Sequence, residues 1–262
     1  MEEVNVRNIT IPYLRMGNGE PLVLIHGLSE GKEGWFKQFE LANQYDLIIP
    51  DLRGHGNNRT LEGISIENFA SDVLALLDLL NIESAHFCGF SMGGIVAQEI
   101  YRQAPERCRS LVFACSAPYF FDLLGKFTSK LFKTRSLLLS PVHRKLIVAR
   151  SSFYSWDEEN FVNLQKCLKP NDEGMFKSID ALVKVDNRSL LPKIMVPTLV
   201  IAARYDLLIP IMIPIYMHKK IPNSELVILQ KSGHIAKIES AKEFNQILLH
   251  FLSKHPIRLN VS

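Results

Sequence analysis

The chain has 262 residues, 47% of them hydrophobic and 22% charged, with a formal net charge of +3. That length suits one domain with a sizeable core, and the balance is that of a folded globular protein. So small a net charge speaks against a nucleic-acid partner, and no apolar run is long enough for stable insertion in a bilayer.

The opening Met1-Glu2-Glu3-Val4-Asn5 is acidic and lacks an apolar h-region, so no signal peptide is expected and the cytoplasm is the default location. Residues 4–9 and 13–15 read as a hairpin broken near Pro12. Gly17-Asn18-Gly19 lacks the third glycine of a dinucleotide fingerprint and reads as a turn. Leu22-Val23-Leu24-Ile25 is a buried strand ended by His26-Gly27, and residues 35–42 are helical. Leu47-Ile48-Ile49 is the next strand, stopped at Pro50-Asp51. Ser65 can cap a helix whose Phe69, Val73, Leu76, Leu77 and Leu80 form one stripe. A strand over 85–88, a helix over 92–103 and a strand over 110–114 follow. From 118 to 190 the pattern turns helical, basic and aromatic with no obvious strand. Strands resume at 198–202 and 225–229, and Ser240-Ala241-Lys242-Glu243 has the form of a capping box opening a last helix. The expectation is one α/β domain, 1–117 plus 191–262, with a mostly parallel sheet flanked by helices and interrupted by a helical cap over 118–190.

Cys88, Cys108, Cys115 and Cys167 are scattered among apolar neighbours and read as buried free thiols. No metal signature or His-Glu-x-x-His is present, so neither a metal nor any other cofactor is expected.

Gly89-Phe90-Ser91-Met92-Gly93 matches G-x-S-x-G between a predicted strand and a predicted helix. That is the setting of a nucleophile elbow, a strained turn that lifts a serine hydroxyl above the sheet. Strand and helix come close there, so the residues two before and two after the serine must lack side chains. A serine hydroxyl needs a base beside it. On such a sheet the acid and then the histidine follow the serine along the chain. His234, in the loop after the strand at 225–229, is the candidate base, and Asp206, just past the strand at 198–202, is the candidate acid. Asp186 is the alternative acid. The backbone N–H groups of Met92 and Leu28 are the expected oxyanion donors, with Gly27 allowing close approach. His26 precedes the serine and reads as a structural residue of that loop. Trp35, Phe90, Phe120, Phe127 and Ile235 are expected to line the substrate pocket.

His26-Gly27, Asp51-Leu52-Arg53-Gly54-His55-Gly56, Gly89-Phe90-Ser91-Met92-Gly93-Gly94, Asp206 and Gly233-His234 follow one another as in the α/β-hydrolase superfamily. Over 22–118 and 197–252 the chain resembles its branch of small cytoplasmic esterases, 3-oxoadipate enol-lactonases and related carboxylesterases. The resemblance implies the same triad and oxyanion roles, and a structural loop at 51–56. One departure is Asn58, where the family often has serine; another is Pro214, inside the helix expected after Asp206. The activity expected is hydrolysis of a small-molecule carboxylic ester or lactone, with an acyl thioesterase or a slow-turnover receptor as alternatives. Within 117–150, seven basic residues stand against Asp122 alone. If 120–138 is a helix, Lys126, Lys130 and Lys133 lie opposite an apolar face containing Phe120 and Phe127. Such a face shapes an acyl pocket; an anion-attracting surface and transient contact with anionic lipid are the other readings.

Overall fold

The computed structural model describes residues 2–119, 143, 147, 150–169 and 171–256. Eight strands form one sheet: β1 (Glu2–Val6), β2 (Ile9–Met16), β3 (Glu20–Ile25), β4 (Tyr45–Pro50), β5 (Ala85–Phe90), β6 (Cys108–Ala114), β7 (Thr198–Ala203) and β8 (Ser224–Leu229). Their order is β1-β2-β4-β3-β5-β6-β7-β8. β1 and β2 pair antiparallel, as do β2 and β4; all other pairs are parallel. The chain runs from β3 to β4 on one side, then returns past β3 to β5 on the other. Loops after β3 and β5 therefore diverge, leaving a crevice at the carboxyl ends of the strands where such sheets bind ligands.

The opening hairpin differs from the expected one. Arg7 and Asn8, with φ of 47° and 66°, make the turn, a two-residue reversal that matches strand twist. Pro12 lies inside β2. Its carbonyl accepts the Asp51 N–H at 2.8 Å just past the end of β4, so its missing N–H falls where the ladder is ending.

Helices cover both faces. α1 (Ile66–Leu79) is capped as expected, the Ser65 hydroxyl accepting the Asn68 N–H at 3.1 Å. Its Phe69, Val73, Leu76 and Leu77 are buried, each worth about 1.5–3 kcal/mol of transfer free energy. α2 (Met92–Gln103) packs beside it. Residues Lys32–Asn43 form a 3₁₀ segment on the opposite face. Between β6 and β7 the described residues include α3 (Glu158–Cys167) and α4 (Asp172–Leu182). α5 (Met212–Lys220) tolerates Pro214 because it falls in the first turn, where backbone N–H groups have no partner within the helix. Met217 of α5 joins the core and Met212 faces solvent, so this apolar stretch packs on the sheet.

The short α6 (Ala236–Glu239) leads into α7 (Ala241–Ser253). The expected capping box at Ser240 does not form: the Ser240 side chain caps nothing, and its N–H is taken by Ala236 of the preceding turn. All four cysteines are free and buried. No helix among the described residues is long and apolar enough to cross a membrane.

Candidate active site

β5 ends at Phe90 and α2 starts at Met92, so Ser91 alone makes the turn, with φ 52° and ψ −117°. L-residues rarely adopt that left-handed φ, and the surroundings over-determine it. The Ser91 N–H donates to the Ala114 carbonyl at 2.9 Å, and the Ser91 carbonyl accepts from the Ser116 hydroxyl at 2.7 Å. Glycine is required on both sides. A Cβ on Gly89 would collide with the Gly93 carbonyl, and one on Gly93 with the carbonyls of Ile25 and His26. The expected spacing of side-chain-free residues thus has its steric cause in the strand–helix crossing.

His234 and Asp206 meet at this serine. His234 Nε2 lies 3.0 Å from Ser91 Oγ, and His234 Nδ1 lies 2.8 Å from Asp206 Oδ2. Because a carboxylate oxygen accepts, Nδ1 carries the proton and Nε2 turns its lone pair to the serine hydroxyl. Asp206 is held from its other oxygen: Oδ1 accepts the Leu208 and Ile209 N–H groups at 2.9 and 2.8 Å. Both side chains are almost wholly buried, at 2% and 6% exposure. The His234 loop is fixed by Glu239, whose Oε2 accepts the Gly233 N–H at 2.6 Å and the Tyr154 N–H at 3.1 Å. Asp186, the alternative acid, is elsewhere. It is half-exposed and paired with Arg188 at 2.6 Å, whose guanidinium pulls its carboxyl below the usual range.

The loop after β3 closes on the nucleophile. A Cβ on Gly27 would stand 2.9 Å from the Phe90 ring and 3.5 Å from Ser91 Cβ, so only glycine lets this backbone come so near. Among the described residues the Leu28 N–H has no hydrogen-bond acceptor, and the Met92 N–H opens α2. His26 acts in the loop as expected. Nδ1 donates to the Gly27 carbonyl at 2.8 Å and Nε2 accepts the Leu52 N–H at 3.1 Å, tying β3 to the 51–56 loop. That loop is built around Asp51, which accepts from Lys32 Nζ at 2.6 Å and from the Asn57 N–H at 2.8 Å. Asn58 serves the same loop, its amide donating to the Asp51 carbonyl at 3.1 Å.

Burial pushes His26 down to about 4 and His55 down to about 3, from an ordinary 6.5. The unfolded chain takes up protons below pH 6.5 that the native state refuses until those lower values. The contribution of the neutral histidines is therefore complete above that pH and is lost as pH falls through the window. Between about pH 7 and 5 the expected loss is roughly 2 kcal/mol per histidine. Urea unfolding at the two pH values measures it; because burial also lowers His86 and His255, His55→Gln should remove its own share of roughly 2 kcal/mol and leave the rest of the slope. A flat profile would contradict the burial argument.

Of the expected pocket residues, Phe90 and Ile235 are nearly buried beside the site, with the Phe90 ring 5.1 Å from that of His234. Trp35 does not line a pocket: it has no accessible surface and packs in the core against Phe244. Its ring is covered by Phe244 and by the Lys237 ammonium, 4.7 Å from its centroid, which leaves no surface for a substrate. Phe120 and Phe127, with the expected 120–138 helix, lie outside the described residues. Sequence reasoning missed Glu30, Lys237 and Glu239. Lys237 in the apolar run Ile235-Ala236-Lys237-Ile238 was the available signal, since a lone cation there must be buried with a partner.

The family described as alpha/beta hydrolase fold matches residues 20–241. The chain is 30% identical over 241 residues to 3-oxoadipate enol-lactonase 1 of Acinetobacter baylyi, covering 90% of this chain and 89% of that protein. Among solved structures, a thermophilic esterase from Thermogutta terrifontis with malate bound superposes with a TM-score of 0.87 at 24% identity, covering 98% of this chain and 100% of that one. The enol-lactonase from Burkholderia xenovorans LB400 gives 0.87 at 24% identity, covering 96% and 100%. At that identity the structural likeness speaks for the fold alone. A family match over most of its length, on a sheet of this order with this serine turn, shows that the chain belongs to the α/β-hydrolase fold family.

Proposed function

We propose that the protein is a serine hydrolase that cleaves a carboxylic ester or lactone of a small to medium apolar substrate through an acyl-enzyme on Ser91. The carrying observation is the 3.0 Å approach of His234 Nε2 to Ser91 Oγ. His234 takes the serine proton as Oγ attacks the substrate carbonyl. The oxygen that gains charge lies between the N–H groups of Leu28 and Met92, aided by the positive end of α2. The imidazolium, stabilised by Asp206, then gives its proton to the departing alkoxide. In a lactone the leaving alcohol stays tethered to the acyl group. Water enters next and loses a proton to His234 as it attacks the acyl carbon; the acyl–Oγ bond then breaks, the imidazolium returns that proton to Oγ, and the acid leaves with Ser91 and His234 restored. None of these steps calls for a metal or cofactor.

A relative supports this chemistry, being named an enol-lactonase. Residues 118–190 are read as a cap inserted into the 1–117 and 191–262 core. Supporting that reading, the Ser152 carbonyl accepts the Ile235 N–H at 3.0 Å, next to the base.

A panel of p-nitrophenyl acetate, p-nitrophenyl butyrate, a lactone and an acyl-CoA, at low and high salt, tests the substrate class. Butyrate is expected to exceed acetate in kcat/KM by about tenfold, as two buried methylenes allow, with little salt dependence. A strong acyl-CoA preference that collapses with salt would instead make the basic cap an anion-binding surface.

A further inference from the structure

We infer that the buried ion pair of Glu30 and Lys237 is a positioning device that holds the Gly27-Leu28 backbone in register with the nucleophile and base. The inference rests on the hydrolase reading above and adds two residues to its machinery.

Neither side chain reaches solvent appreciably: Lys237 is 0% and Glu30 3% exposed. Charges so deep need several partners each. Lys237 Nζ lies 3.1 Å from Glu30 Oε2 and donates to the Gly34 carbonyl. It also sits 4.7 and 4.8 Å from the ring centroids of Trp35 and Phe90. Glu30 Oε2 accepts, besides the lysine, the Gly27 N–H at 3.1 Å. One carboxylate oxygen thus joins two parts of the site. Gly27 immediately precedes Leu28, whose N–H is a proposed oxyanion donor. Lys237 belongs to α6, which begins two residues after His234. Phe90, beneath the lysine, precedes Ser91 and packs on His234. Gln38 fixes the lysine's backbone, its Nε2 donating to the Lys237 carbonyl at 2.7 Å. Gly34 leaves the room: a Cβ there would stand 3.1 Å from both charged atoms.

Stability alone does not explain the pair, because well-packed apolar residues of similar volume serve about as well in a core. Direction does. An apolar residue at position 30 cannot accept the Gly27 N–H, and oxyanion donors work only within a few tenths of an ångström of their target. The oxygen at position 30 sets the peptide, and the lysine supplies the counter-charge that lets an anion stand there.

Two double variants, both free of buried unpaired charge, separate positioning from packing. Glu30→Gln with Lys237→Met keeps an oxygen for the Gly27 N–H, whereas Glu30→Leu with Lys237→Met fills the space without one. On p-nitrophenyl butyrate the glutamine variant should stay within about fivefold of the wild-type kcat. The leucine variant should lose about 100-fold in kcat with KM changed less than about threefold, the scale of a lost oxyanion donor. Circular dichroism melts check that both fold; if the leucine variant does not, Glu30→Ala with Lys237→Met takes its place. Equal kcat in the two variants would overturn the inference, whether both are active or both impaired. The second case would make the lysine, and not the oxygen at position 30, what the site depends on. Wild-type protein without Ser91-dependent turnover would instead overturn the hydrolase reading, and this inference with it.

Discussion

Ser91→Ala is expected to lower kcat by about four to six orders of magnitude while leaving the fold intact. The alanine keeps Cα and Cβ, so the backbone at φ 52° meets the same constraints from Ala114 and Ser116. What it loses is the Oγ that His234 faces at 3.0 Å. One hydrogen bond at the rim of a buried histidine is worth about 1 kcal/mol, too little to unfold a domain of this size. Any residual rate would come from water attacking a carbonyl still polarised by the proposed oxyanion donors, the Leu28 and Met92 amides. A fluorophosphonate reporter should label the wild type and not the variant. Labelling of the variant, or turnover within tenfold of wild type, would put the nucleophile elsewhere.

Asp206→Asn should cost about 10⁴ in kcat, and the surrounding loop explains why. Asp206 Oδ1 already accepts two backbone N–H groups, from Leu208 and Ile209. An asparagine must keep its oxygen there, because its NH₂ cannot accept. Its amide nitrogen is then turned to His234 Nδ1. Facing a donor, Nδ1 becomes the acceptor, and the ring proton moves to Nε2. The histidine then points an N–H, not a lone pair, at the serine hydroxyl, and the base is lost with the geometry unchanged. Asp186→Asn should leave kcat within about twofold, since it breaks only a half-exposed pair with Arg188. The opposite ranking would sink the assignment of the acid.

The sequence by itself determined the elements and the order of the site. Helix and strand periods identified α1, α2 and the parallel strands because each follows from which face is buried, a property of neighbouring residues. Gly89, Ser91 and Gly93 were legible for a similar reason: the clash that forbids side chains arises within one strand–turn–helix unit, save for the β3 carbonyls that Gly93 meets. His234 and Asp206 could be named because strand ends on a parallel sheet converge at one edge. Other features depended on what already occupied a neighbour's valences. Ser240 had the right residues for a capping box, yet the preceding turn had taken its amide. Pro12 was tolerated in a strand because of where β4 ends. Trp35 was named from its apolar ring, but a period cannot say whether an apolar ring keeps surface open to a substrate or is wholly covered by its neighbours. The charged partners were the least legible. Lys32 with Asp51, and Glu30 with Lys237, are fully or nearly buried pairs between segments distant in the chain or across a loop. Only the tertiary structure decided them, because a charge is stable in an apolar interior only where folding delivers its counter-charge and the remaining hydrogen-bond partners together.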